Sequence, residues 1–364
     1  MGGCKNFIGT LVCTAILCGA GVVAYLYGPW NKDDGGSEET PTTTTTLIAK
    51  SSACESCCNG LESNCDLPIN QVTWAMVHNA MSSQDDSFYA ANNDLSLEKA
   101  LVEGYRGLML DSCLCDGDNI IDVLQDYVTG NDEDNTEEKY LGFCHGTCAA
   151  GSRNPTTVLN HIKAFLDINP NEVLIIEFEV GDGTLELLYQ AINDSGLEKY
   201  VLRYEEENDG TISTWPTFQQ LISANRRLIL FAHNGGMASC ETQTCPEGIF
   251  YTFDHFSQTN WNDGNTCVLR GSDTKVPDEH GFFLMNHWKN DENLDLPSKT
   301  NAEEFNTYDF LSTRFGKCKE RMPNIVAVDF WNVGDVLKFV EDENKKIGGG
   351  DAAVAESRNG SIRH

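Results

Sequence analysis

Two histidines, several oxygen-bearing side chains and an arginine stand beside apolar runs in this chain. His78 and Asn79 follow TWAMV, Asp111 follows RGLML, His145 follows LGFC, Glu179 follows VLIIEF, and Asp329 lies within NIVAVDFW. These runs are rich in branched and aromatic residues, the composition of buried strands. Imidazole exchanges protons near neutral pH, so His78 and His145 form a candidate acid–base pair. Asn79, Asp111 and Glu179 offer oxygens, the ligand type of a hard divalent cation. Arg106, which opens RGLMLD, offers a cationic fork for a carboxylate or phosphate. His287 and Asp329, at the ends of two later runs, are read as substrate-side groups. The set is equipment for phosphoryl transfer. A cation neutralises the non-bridging oxygens, one imidazole takes a proton from the nucleophile, and the other protonates the leaving group.

Each residue also has a plainer reading. A histidine at a strand end is more often hydrogen-bonded and structural. Asp111 could cap the following loop, and Glu179 could pair with Arg106 inside the fold. His145 lies between Cys144 and Cys148, which admits a zinc ligand but fits disulfides better. His161 reads as a surface or packing residue, and His255 and His280 fall in loops.

For the chemical reading to hold, distant runs must lie side by side. Strand-like runs cover 72–77, 107–111, 141–144, 172–179, 201–204, 227–232, 282–286 and 325–330. Helical spacing covers 95–103, 183–195, 218–225, 302–315 and 333–345. Asn154-Pro155 caps a further helix reaching 168, with proline in its favoured first turn. Such alternation predicts parallel pairing and the α/β class, as an irregular (β/α)8 TIM barrel. Catalytic groups in such barrels gather at the C-terminal strand ends, where these residues fall. Residues 234–280 read as a Cys- and Gly-rich excursion without strands.

Composition sets the compartment. Lys and Arg total 25 against 55 Asp and Glu, a formal charge of −30. So acidic a body repels phosphate backbones, which excludes nucleic acid as a partner. Phe7 to Leu26 is uncharged and long enough to cross a bilayer as a helix. The expectation is a transmembrane signal anchor over 1–30 and a lumenal or extracellular domain; the alternative is a secreted protein cleaved near Val22-Val23-Ala24. A Thr-rich linker (31–53), a barrel domain with a Cys-rich cap (54–347) and a polar tail (348–364) follow. Twelve of the 15 cysteines lie beyond the apolar segment, which suits up to six disulfides in an oxidising compartment. Asn193 and Asn359 open N-glycosylation triplets.

In order and spacing, TWAMVHNA, GYRGLMLDS, FCHGTC, NPNEVLIIEFE, NRRLILFAHN, FLMNHW and MPNIVAVDFW resemble the secreted or anchored eukaryotic PLC-like phosphodiesterases, which carry a domain similar to the X region of phosphatidylinositol-specific phospholipase C. The resemblance spans roughly residues 65–340 and implies an irregular (β/α)8 barrel. By resemblance, His78 matches the base that deprotonates the inositol 2-hydroxyl, and His145 the acid that protonates the diacylglycerol oxygen. Asn79, Asp111 and Glu179 match calcium-binding positions, Arg106 a recurrent arginine, and Asp329 an acid that orients a histidine. One position departs from the pattern. Where the calcium-dependent enzymes place a glutamate two residues before the aspartate, this chain has Met109. The implied cofactor is a divalent cation, calcium first and magnesium second, and the implied partner a phospholipid or other phosphodiester. The alternatives are a glycerophosphodiester- or sphingomyelin-type phosphodiesterase and a surface-binding module that kept the barrel and lost catalysis.

Overall fold

The computed structural model describes residues 54–117, 139–203, 214–237, 245–271, 280–318 and 321–349. The strands are β1 (Trp74–Val77), β2 (Gly107–Cys115), β3 (Tyr140–Cys144), β4 (Ser152–Arg153), β5 (Leu174–Val180), β6 (Leu228–Asn234), β7 (Ile249–Tyr251), β8 (Phe256–Gln258), β9 (Phe282–Asn286) and β10 (Ile325–Val328). The helices are α1 (Leu97–Glu103), α2 (Pro155–Ile168), α3 (Leu185–Asp194), α4 (Phe218–Ser223), α5 (Thr252–His255), α6 (Lys299–Phe305), α7 (Tyr308–Phe315) and α8 (Val336–Gly348). The chemistry of the ends explains several starts. Asn154 Oδ1 accepts from the Thr157 amide at 3.1 Å with Pro155 in the first turn of α2, and Thr217 and Gln220 form a capping box on α4.

Eight strands lie in the order β7-β6-β5-β2-β1-β10-β9-β8, and every pairing along this path is parallel. Parallel pairing requires crossovers, which the helices supply. The path ends at β7 and β8, joined by the short α5 with no ladder between them among the described residues. The architecture is therefore an α/β parallel-strand half-barrel, not a hydrogen-bond-closed barrel.

Two of the predicted barrel strands are corrected. The run at 141–144 is β3, which pairs antiparallel with β2 and carries β4 on its other side. Disulfides Cys113–Cys144 and Cys115–Cys148 staple this hairpin. Its composition is strand-like, but both disulfides cross-link it to the end of β2, which fits the antiparallel pairing. The run at 201–204 reduces to a single bridge, Val201 to Leu228. In exchange, the Cys-rich excursion holds β7 and β8, whose three-residue length left no periodicity to read.

Side-chain alternation sorts the sheet into two faces. Met76, Ile175, Ile229, Phe231, Phe250, Phe282, Leu284 and Ala327 fill the concave interior. Val77, Leu108, Ile176, Leu230, Val326 and Val328 pack outward against Leu101, Leu159, Phe165, Leu188 and Phe339 of the helices. Three further disulfides, Cys54–Cys57, Cys58–Cys65 and Cys267–Cys318, tie the cap and the later loops, and Cys245 is disulfide-bonded as well. No helix among the described residues is long and apolar enough to cross a membrane. The expected anchor, the linker and nearly all of the tail lie outside those residues.

Candidate functional site

The concave face carries its apolar parity up to the C-terminal edge, where it turns polar. The register aligns Met109, Glu177 and Phe231 in one layer and Asp111, Glu179 and His233 in the next. Beside them, β1 and β10 end in residues of the same parity, His78 and Asp329. His145 reaches this edge from the stapled hairpin, directly after Cys144.

His78 is the best-held of these groups. Its Nδ1 lies 2.8 Å from Asp329 Oδ1, and because a carboxylate can only accept, Nδ1 carries the proton. That tautomer leaves Nε2 as the basic nitrogen. Asn92 Nδ2 donates to the same Asp329 oxygen at 3.1 Å, and Asp329 is 3% exposed. Asp329 thus faces the histidine, not the mouth, which corrects its reading as a substrate-side group. The ring of His78 also lies flat on Trp288, centroids 3.7 Å apart and planes 9° from parallel.

Asn79, at φ 44°, occupies the left-handed region that asparagine tolerates. One end of its amide is 3.2 Å from both Asp111 oxygens and the other is 3.2 Å from His145 Nε2. With nitrogen toward Asp111 the amide donates to the carboxylate and its oxygen accepts from His145. With oxygen toward Asp111 two acceptors meet unless the carboxyl is protonated or a cation lies between them. Burial, then Glu179 and Glu177, hold the Asp111 carboxyl well above the usual carboxylate range. Glu179 is more open: its side chain is 57% exposed and Oε1 accepts from Asn234 Nδ2 at 3.1 Å. The all-oxygen donor set of Asn79, Asp111 and Glu179 fits a hard cation by type. Among the described residues, the one trio of sulfur, imidazole or carboxylate ligands that converges is Cys113, Cys144 and Cys148. Those sulfurs are consumed in disulfides, which also removes the zinc reading.

His145 is pushed down to about 4, by burial and then by His78, against a smaller upward pull from Asp329. His78 is thus close enough for its charge to act on His145.

Two predicted residues are elsewhere. Arg106 lies at the N-terminal end of β2, away from the mouth. Its Nε donates to Glu172 at 2.7 Å, Nη1 donates to the Leu101 and Tyr105 carbonyls, and its guanidinium lies 4.9 Å from the Phe165 ring centre. The pair borders a cavity of about 250 Å³ at this opposite end of the sheet. The catalytic reading of Arg106 is corrected for that reason, and so is its pairing with Glu179. His287 is fully buried: Nε2 donates to the Phe305 carbonyl at 2.9 Å and Nδ1 accepts from Arg314 Nη1 at 2.9 Å. Both nitrogens are spent inside the protein, so it holds no substrate.

Of three further groups here, Glu177 and Trp288 escape the sequence reading, which places His233 only at the end of its strand. Glu177 is 2% exposed and lies 2.8 Å from His233 Nδ1. Although burial opposes it, Glu177 and then Glu179 raise the His233 pKa. Trp288 is the third. The period of two would have exposed Glu177, which shares the face of Glu179 two residues on; no local signal marked Trp288.

The two histidines with lowered pKa make a pH prediction. His145 and His287 are lowered to about 4 and about 3, burial being the leading cause in each. The unfolded chain therefore takes up protons below about 6.5 that the folded chain refuses. Their stabilisation is complete above that pH and is lost as pH falls toward the folded values. His233 acts in the opposite sense. We expect the urea midpoint to drop between about pH 7 and pH 5, by up to about 1.4 kcal/mol per pH unit for each histidine. A midpoint that rises on acidification overturns this.

The comparisons follow from here. The family model for the PI-PLC X domain matches residues 125–344, a span that includes His145, Glu177, Glu179 and Asp329. PI-PLC X domain-containing protein 1 of Arthroderma benhamiae is 26% identical over 296 residues, 77% of this chain and 87% of that protein. A PI-PLC X domain-containing protein of Arabidopsis thaliana is 25% identical over 324 residues, 81% of this chain and 63% of that protein. A protein of Arthroderma benhamiae named as an uncharacterized secreted protein is 22% identical over 298 residues, 77% of this chain and 61% of that protein. Phosphatidylinositol-specific phospholipase C from Listeria monocytogenes superposes with a TM-score of 0.44 at 13% identity, covering 76% of this chain and 95% of that one. The matched domain takes up more than half of the sequence, and the chain belongs to the PI-PLC X domain family.

Proposed function

We propose that this protein is a phosphodiesterase that cleaves a phospholipid phosphodiester of the phosphatidylinositol type at the C-terminal mouth of its half-barrel. The observation that carries the reading is a pair of imidazoles within one mouth. His78 is oriented by Asp329 so that Nε2 is basic, and His145 stands across Asn79 from Asp111. In this reading His78 Nε2 takes the proton of a substrate hydroxyl as its oxygen bonds to phosphorus. The bond from phosphorus to the leaving alcohol breaks, and His145 returns a proton to that oxygen. The resulting product is a cyclic phosphate. His145 is neutral in the free protein at pH 7, and the anionic phosphate supplies the counter-charge that lets it hold its proton during the reaction.

Asn79, Asp111 and Glu179 would hold a divalent cation, which when bound neutralises charge on the non-bridging phosphate oxygens. The need for one is electrostatic. An anion approaching Asp111, Glu177 and Glu179 on a body of charge −30 is repelled unless positive charge intervenes. Asp329 and Asn92 hold the base, and the packed interior below the mouth keeps water from the reacting centre. The cysteine framework suits secretion or a lumenal site, which we propose as the location.

Purified protein incubated with phosphatidylinositol micelles, with calcium or with a chelator, tests the reading. We expect a cyclic inositol phosphate and at least tenfold loss on chelation. Release of glycerol phosphate or phosphocholine instead overturns the head-group assignment. Absence of turnover on any phosphodiester, with no calcium binding by calorimetry, overturns the enzyme reading in favour of a binding module.

A further inference from the structure

We propose that Trp288 is a positioning residue for His78, holding the imidazole plane-on so that Nε2 keeps one orientation. The catalytic half of this inference rests on the phosphodiesterase reading; the contact itself does not.

The stack is close and nearly parallel, with centroids 3.7 Å apart and planes at 9°. Asp329 holds the same ring through Nδ1 at 2.8 Å. A carboxylate in the ring plane fixes one nitrogen but permits tilt about that bond. An aromatic face against the ring removes the tilt. Together they leave one orientation of Nε2.

Trp288 is rigid enough for this task. It is 7% exposed and packs with the interior cluster that includes Leu284 and Ala327. The residue before it, His287, is pinned by Phe305 and Arg314 through its nitrogens and by the Ala327 carbonyl through its amide. The buried histidine that holds no substrate thus anchors the backbone from which Trp288 projects. The charged and titratable groups facing His78 are Asp329 beyond β10 and His145 from the hairpin.

A double-variant comparison tests the stack. We expect the thermal midpoints of Trp288→Ala, His78→Asn and the double variant to be non-additive, because the two single changes remove the same ring contact. In turnover, Trp288→Ala should lower kcat about tenfold with KM within about twofold, and Trp288→Phe should restore most of the loss. Additive midpoints overturn the stack. Unchanged kcat in Trp288→Ala overturns the positioning role. Wild-type protein that turns over no phosphodiester yet shows the non-additivity upholds the stack and fails the phosphodiesterase reading alone.

Discussion

His78→Asn should lower kcat by about 10²–10⁴ while leaving the fold intact. Asparagine is the informative replacement because its amide nitrogen can still donate to Asp329 Oδ1, so the buried carboxylate keeps a partner in place of Nδ1. What disappears is Nε2, the nitrogen that would accept the proton. The loss should fall on kcat, since a group that acts only as the bond forms contributes little to ground-state binding. Thermal unfolding alongside the kinetics separates the two effects. A variant with wild-type turnover removes His78 from the chemistry.

Arg106→Met should do the reverse. The Arg106–Glu172 pair is almost fully enclosed, with side chains 7% and 5% exposed. Removing one partner leaves an uncompensated buried charge, at a cost of about 3–5 kcal/mol. Turnover per folded molecule should stay within about twofold, because the pair lies at the opposite end of the sheet from the imidazoles. Replacing both partners, Arg106→Met with Glu172→Leu, should recover most of the stability, since two apolar groups also relieve the desolvation of both charges. Denaturant midpoints of the three proteins decide this. A selective fall in kcat for Arg106→Met, with normal stability, would return the arginine to the active site.

Arg106 also shows where one-dimensional reading stops. Its residue type suits phosphate, and it opens a strand whose other end carries Asp111. The two ends of a strand face opposite rims, so RGLMLD separates the groups along the strand, by about 3.3 Å for each residue between them. His287 is a similar case. Its place at the end of β9 is right for a mouth residue, but two internal partners had already claimed both nitrogens. Neither partner, Phe305 nor Arg314, is near it in sequence.

The parallel alternation was legible from β-branched runs punctuated by capped helices. So was the face shared by Asp111 and Glu179, because period-two parity in LIIEFEV or RGLMLD fixes which side chains share a face whatever the strand pairs with. The disulfide count was legible from compartment and parity of the cysteines. The open join between β7 and β8, the hairpin return of β3 and the delivery of His145 by that hairpin were not. Each depends on pairings or cross-links between segments distant along the chain, and such contacts leave no local pattern. The same holds for the environment that fixes a histidine's tautomer. The chain alone determined that imidazoles and carboxylates would cap buried strands. Only the packed structure decided that Asp329 would grip one ring, Trp288 would lie against it, and Arg106 would be left at the far rim, because burial and partner choice are properties of the assembled sheet.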